Sequence, residues 1–162
     1  MKRTFIVLVL AVSGLMASAT PAYADVTFFL GFSTTPETRP ARGFAGGINF
    51  LLFGFEFDYA NTSADEAAGA PNLKTGMING LIMTPTKTQL YLTAGGGFYK
   101  EALTGSSVTS FGTNIGGGVK ISLFGPVQVR VDYRIFNLRG DARFPHPQRF
   151  YTGLNLHFYS AC

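Results

Sequence analysis

Residues 127–135 read VQVRVDYRI, and their alternation is strict. Val127, Val129, Val131, Tyr133 and Ile135 fall on one face, and Gln128, Arg130, Asp132 and Arg134 on the other. Only an extended strand, whose side chains repeat every two residues, separates the two sets this way; a helix would wind the charges around its axis. The stretch FEFDY repeats the arrangement, with Phe55, Phe57 and Tyr59 opposed to Glu56 and Asp58. A chain built from such strands must give one face an apolar surrounding and the other a polar one.

The same period recurs in eight segments: 26–33, 43–52, 55–63, 74–83, 88–101, 111–122, 127–138 and 148–158. Most have the roughly 9 to 11 residues that a tilted strand needs to cross a bilayer. Beyond residue 24 no segment carries a convincing helical period, and the alanine-rich ADEAAGAP is short and ends at Pro71. The connections alternate in character. Phe53-Gly54, Thr84 to Lys87 and Phe124 to Pro126 read as tight turns, whereas 34–42, 64–73, 102–110 and 139–147 read as longer polar loops. GGINFLLFG at 46–54 matches GGVKISLFG at 117–125 in character, as two copies of a strand, a turn and the next strand would.

Residues 1–24 stand apart from this pattern. Lys2 and Arg3 precede the apolar FIVLVLAV and a small-residue AYA at 22–24, the arrangement of a cleavable signal peptide. The expected mature domain is 25–162, of 138 residues (162 − 24), enough for one domain. Without Lys2 and Arg3 it holds 11 basic and 9 acidic residues, a balance that gives no case for nucleic acid binding. Cys162 is the single cysteine, so no internal disulfide staples the fold.

Sixteen Phe without a Trp, 20 Gly and a positive mean hydropathy sit oddly with a soluble secreted domain. A membrane β-barrel reconciles them, because it spreads its apolar surface over alternate residues of many strands. The expected fold is therefore all-β: an eight-stranded antiparallel up-and-down transmembrane barrel, with short turns at the end that carries both termini. With apolar faces toward lipid, Glu56, Asp58, Lys120, Arg130, Asp132 and Arg134 point into the lumen as three acids and three bases. Eight strands leave an interior that side chains can fill. A charged polar plug is the plain reading of these six, and an ion path the alternative.

The pattern resembles the small outer-membrane barrels of the OmpA, OmpX and opacity-protein type over essentially all of 25–162. The most specific likeness is the last strand, YTGLNLHFYSAC, where Gly153, Leu156 and Phe158 occupy the places of that family's C-terminal assembly signal. The resemblance implies the outer membrane of a diderm bacterium, periplasmic termini, lipid as surroundings and the barrel assembly machinery as a partner in biogenesis. It also implies a structural or surface-interaction role through external loops. The family's signal closes on its aromatic residue, whereas this chain continues through Tyr159 to Cys162.

Arg39, Arg42, Arg139, Arg143 and Arg149 lie in or beside the first and last external loops, and arginine suits bidentate phosphate contact, so this rim reads either as a lipopolysaccharide-contacting surface or as an ordinary solvated one. The glycine runs AGGGF at 94–98 and IGGGV at 115–119 complete no phosphate-binding motif and fit close strand approach instead. Catalysis has thin support, since only His146 with Ser106, Ser107 or Ser110 stands where outer-leaflet chemistry would occur. No enzyme activity, cofactor or metal is expected. A narrow pore, a lipid-modifying enzyme and a secreted lipocalin-like barrel are the alternatives; the last would hide its apolar face and show its charges.

Overall fold

The computed structural model describes residues 22–103 and 105–159; the segment 1–21 and Cys162 lie outside the described residues. Eight strands follow one another: β1 (Ala22–Ser33), β2 (Arg39–Phe50), β3 (Phe53–Thr62), β4 (Asn72–Met83), β5 (Thr88–Leu103), β6 (Ser106–Phe124), β7 (Val127–Leu138) and β8 (Gln148–Tyr159). Each pairs antiparallel with the next, and β8 pairs with β1 from Ser33↔Arg149 to Tyr23↔Tyr159. The sheet is a closed barrel, and closure satisfies the backbone edges that β1 and β8 would otherwise expose.

Register fixes the barrel's shape. From Ser33 the pairs run through Arg149, Arg134, Gly116, Thr93, Leu81, Gly54 and Asn49 back to Tyr23, a stagger of 33 − 23 = 10 residues. Such a stagger over eight strands tilts them by about 40° from the barrel axis. A strand of 12 residues then rises about 30 Å, the thickness of a hydrocarbon layer.

Alternation decides what lies inside. In β7, Gln128, Arg130, Asp132, Arg134, Phe136 and Leu138 are buried, and the residues between them face outward. The outer wall is apolar, with Phe28, Leu30, Phe55, Ile78, Leu92, Phe98, Ile115 and Leu154 among its exposed side chains. The interior carries charge in its middle and apolar clusters toward its ends. Leu73, Met77, Tyr99, Phe136 and Leu138 pack near the loop end, and Leu81, Met83 and Tyr91 near the turn end.

The glycine runs of β5 and β6 make room inside. A Cβ on Gly116 would lie 2.8 Å from Cγ of Arg134, and one on Gly118 would lie 2.5 Å from the Tyr91 hydroxyl. Small residues here let large polar side chains cross a narrow lumen.

Several connections differ from the sequence-based expectation. The turn between β2 and β3 is Leu51-Leu52, and Phe53 and Gly54 already belong to β3. Leu51 adopts a φ of 44°, a conformation nothing in its side chain announces. The expected loop 102–110 is instead mostly strand: β5 and β6 continue as a hairpin paired out to Leu103↔Ser106, with Gly105 at φ 83°. Ser and Thr made this stretch read as loop, yet Val108 and Thr109 suit an extended ribbon. The other long connections are 34–38, 63–71 and 139–147. β1 begins at Ala22, inside the AYA stretch, and not at residue 26.

Candidate functional site

The lumen holds the densest polar chemistry of the molecule. Strand phase sends Glu56 and Asp58 inward from β3, and Arg130, Asp132 and Arg134 inward from β7, four strands away around the barrel. They meet across the interior. The Arg130 guanidinium grips Glu56 with two nitrogens, donates to Asp132 at 3.1 Å, and through Nε to the Tyr91 hydroxyl at 2.7 Å. Tyr91 in turn donates to Asp132. Arg134 reaches Glu56 at 2.7 Å and Asp132 at 2.9 Å, and its Nη1 lies 3.7 Å from Asp58, a charge contact too long for a hydrogen bond.

The six residues expected in the lumen are all buried there, and the structure adds others. Lys120 pairs with Asp25, whose carboxylate also accepts from Asn155 at 3.2 Å. Asp25 opens the expected mature domain, and its phase with Thr27 and Phe29 places it inside. Tyr91 carries no formal charge to mark it in the sequence, yet it bridges Arg130 and Asp132.

Arg149 was expected on the external rim, and this is corrected: it is buried, at 3% exposure, and donates to both oxygens of Asp58 at 2.8 and 3.0 Å. Its guanidinium lies 4.9 Å from the Phe136 ring and 5.2 Å from the Phe29 ring, a cation–π setting. Arg39 is likewise buried, donating to the carbonyls of Thr35, Ser63 and Pro71 and so tying together the bases of two loops. Proximity to a loop suggested a rim; strand phase decided the direction. Arg139 and Arg143 are exposed in 139–147, and Arg42 is exposed on the outer wall of β2.

Charge balances inside. Asp25, Glu56, Asp58, Glu101 and Asp132 face Arg39, Lys120, Arg130, Arg134 and Arg149, five acids with five bases, in place of the three and three expected. Burying any one alone would be costly, and the pairing with hydrogen bonds is what makes the set tolerable. The network spans the interior from β7 to β3 through the contacts of Arg130 and Arg134 with Glu56. Toward the turn end, Tyr23, Asp25, Lys87, Gln89, Gln128 and His157 line a vestibule of 360 Å³. His157 stands against Tyr23 in an edge-on ring contact, centroids 5.8 Å apart.

Elsewhere the candidates stay apart. Among the described residues, no hydrogen bond joins His146 to Ser106, Ser107 or Ser110, and no group of His, Cys, Asp and Glu is placed to hold a metal. His146 is exposed between Pro145 and Pro147, whose carbonyls accept from the backbone of Leu138 and Phe136. Gly153 faces inward, where a Cβ would lie 2.8 Å from Cβ of Phe29; Phe29 stacks on Tyr151 with centroids 4.0 Å apart. Phe158 faces outward and is exposed, and Leu156 shares that face half-buried. An apolar groove of 810 Å³ crosses the outer wall from β3 over β2 and β1 to β8, lined by Phe28, Leu30, Phe44, Tyr59, Leu154 and, at its loop-side end, Arg42.

No known protein-family model matches the chain, and no curated protein sequence matches it. Solved structures do. The N-terminal β-barrel domain of Pseudomonas aeruginosa OprF superposes with a TM-score of 0.63 at 13% identity, over 84% of this chain and 97% of that one. Neisserial surface protein A gives 0.61 at 16% identity, over 85% and 97%. Ail, the attachment invasion locus protein of Yersinia pestis, gives 0.51 at 14%, over 86% and 99%. At such identities the likeness is one of architecture, and this chain has the fold of the small eight-stranded outer-membrane barrels.

Proposed function

We propose that the chain is an integral outer-membrane protein whose barrel is a plugged, rigid anchor and whose external loops form a surface for interaction. One observation carries the reading: the barrel wears large apolar side chains outside and turns ten of the thirteen charged side chains of its strands inward. That polarity suits lipid and opposes a soluble lipocalin-like barrel, which would reverse it. The fold shared with Neisserial surface protein A and with Ail, a protein named for attachment, supports a surface role.

In this reading cleavage after Ala24 releases the domain 25–162 and shortens β1 to begin at Asp25, and the start of β1 and the end of β8, which share an end with the short turns, face the periplasm. Gly153, Leu156 and Phe158 serve as the signal to the barrel assembly machinery. The loops 34–38, 63–71 and 139–147 and the tip of the β5–β6 hairpin face outward from the cell, with Arg139 and Arg143 available to lipopolysaccharide or a host surface. The domain performs no catalysis.

Heat-modifiability tests the anchor. On a gel of membrane fractions the unboiled protein should migrate apart from its boiled form; a soluble pool without that shift would sink the proposal. The plug predicts that the purified protein in a planar bilayer gives no unitary current steps, and reproducible steps would favour a pore instead.

A further inference from the structure

Three charged side chains point outward from the strands among the described residues, and all are basic: Arg42 on β2, Lys74 on β4 and Lys100 on β5. The strand acids are all turned inward. Register links the three cations into one line across the wall, Arg42↔Asn61, Asn61↔Lys74 and Lys74↔Lys100. Each sits within four residues of its strand's loop-side end.

Lys74 and Lys100 are directly opposed across the β4–β5 ladder, with backbones about 5 Å apart. Like charges so placed destabilise a ladder, and among the described residues neither lysine, nor Arg42, forms an ion pair. Asn61, between Arg42 and Lys74, accepts through its Oδ1 from Asn72, so its amide nitrogen is the end that can donate to a ligand. Two residues further into the wall runs a parallel line of Phe44, Tyr59, Gly76, Phe98 and Phe111. Gly76 interrupts the aromatic line directly beneath Lys74, and the Phe57 ring comes within 4.0 Å of where a Cβ there would sit. Beneath Arg42 opens the apolar groove of 810 Å³. Cations above an apolar groove and an aromatic wall are complementary to a molecule with an anionic head and hydrocarbon tails.

We infer that Arg42, Lys74 and Lys100 form a binding site on the outer wall for the anionic phosphorylated headgroup of a membrane lipid, with its chains lying in the groove beneath Arg42. The inference rests on the membrane-inserted reading above and places lipid recognition on this wall, away from the buried Arg39 and Arg149. A phosphate between Lys74 and Lys100 turns a repulsive pair into two charge-assisted contacts.

Native mass spectrometry of the full folded chain in neutral detergent, titrated with phosphatidylglycerol, phosphatidylcholine or inorganic phosphate, tests the site. Phosphatidylglycerol should be retained over phosphatidylcholine. Lys74→Gln with Lys100→Gln should weaken retention about tenfold or more, as loss of charged hydrogen bonds implies. Arg42→Gln should weaken it less, and Lys87→Gln, in a turn at the opposite end, should leave it unchanged. Lys100→Glu separates recognition from folding: it makes an attractive pair with Lys74, so the barrel holds while retention falls.

Equal retention of the two lipids, or an unaffected double variant, overturns the site, and competition by inorganic phosphate at matching concentration overturns the lipid part. Heat-modifiability of the same samples keeps the two readings distinguishable. A chain that shifts on boiling but ignores lipid charge loses only this site, whereas one that never enters membranes fails at the earlier proposal.

Discussion

Arg130 and Arg134 are fully buried, and their surroundings explain how a chain tolerates that. Each guanidinium meets two or more carboxylates, and Arg130 also lies over the Tyr91 ring at 4.8 Å. Removing one partner leaves charges stranded in a place water does not reach. Glu56→Ala, which strips a carboxylate from both arginines, should lower the unfolding free energy by about 3 to 5 kcal/mol in a urea titration in lipid vesicles. Gly118→Val tests the space the network needs: its side chain would collide with the Tyr91 hydroxyl and the Val131 carbonyl. The folded, heat-modifiable fraction should fall, by an overpacking cost of about 1 to 3 kcal/mol or more. The lumen positions of Glu56, Asp58, Arg130, Asp132 and Arg134 were legible because each lies in the middle of a strictly alternating run. Arg39 and Arg149 were not, since they stand at strand ends where loop and strand read alike.

At the level of the element, the strands were readable and the turns less so. β7 was expected at 127–138 and spans Val127–Leu138, because alternation there runs unbroken from turn to loop. The turn at Leu51-Leu52 carries no Gly, Pro, Asn or Asp, so the nearest glycine, Gly54, drew the expected turn two residues too far. A leucine at φ 44° is strained where glycine or asparagine is not. Leu51→Gly should therefore stabilise the barrel, by about 1 kcal/mol, as a higher urea midpoint with unchanged m-value would show. The β5–β6 hairpin was hidden for the opposite reason, its Ser-Ser-Val-Thr-Ser run being polar enough for a loop and extended enough for a ribbon. Pairing with a neighbouring strand settles such a segment, and pairing is not written in its own residues.

Across the whole molecule, closure converts local alternation into a surface and an interior. Leu154, midway along β8, is exposed on the outer wall. If that wall faces lipid, Leu154→Arg should cost about 2 to 4 kcal/mol in vesicles, measured by urea unfolding; in a soluble barrel the same change would be nearly neutral. By itself the sequence determined the number of strands, their phase, and the sorting of apolar from charged faces, because a period of two is a property of the local backbone. Only the tertiary structure decided which charges meet, since the stagger of ten residues around the ring sets Glu56 against Arg130 and Arg134, and Asp58 against Arg149. The same register lined up Arg42, Lys74 and Lys100 across three ladders, a row formed by residues up to 58 positions apart (100 − 42). Contacts made by closing a sheet depend on how far each strand slides past the next, and no single strand carries that quantity.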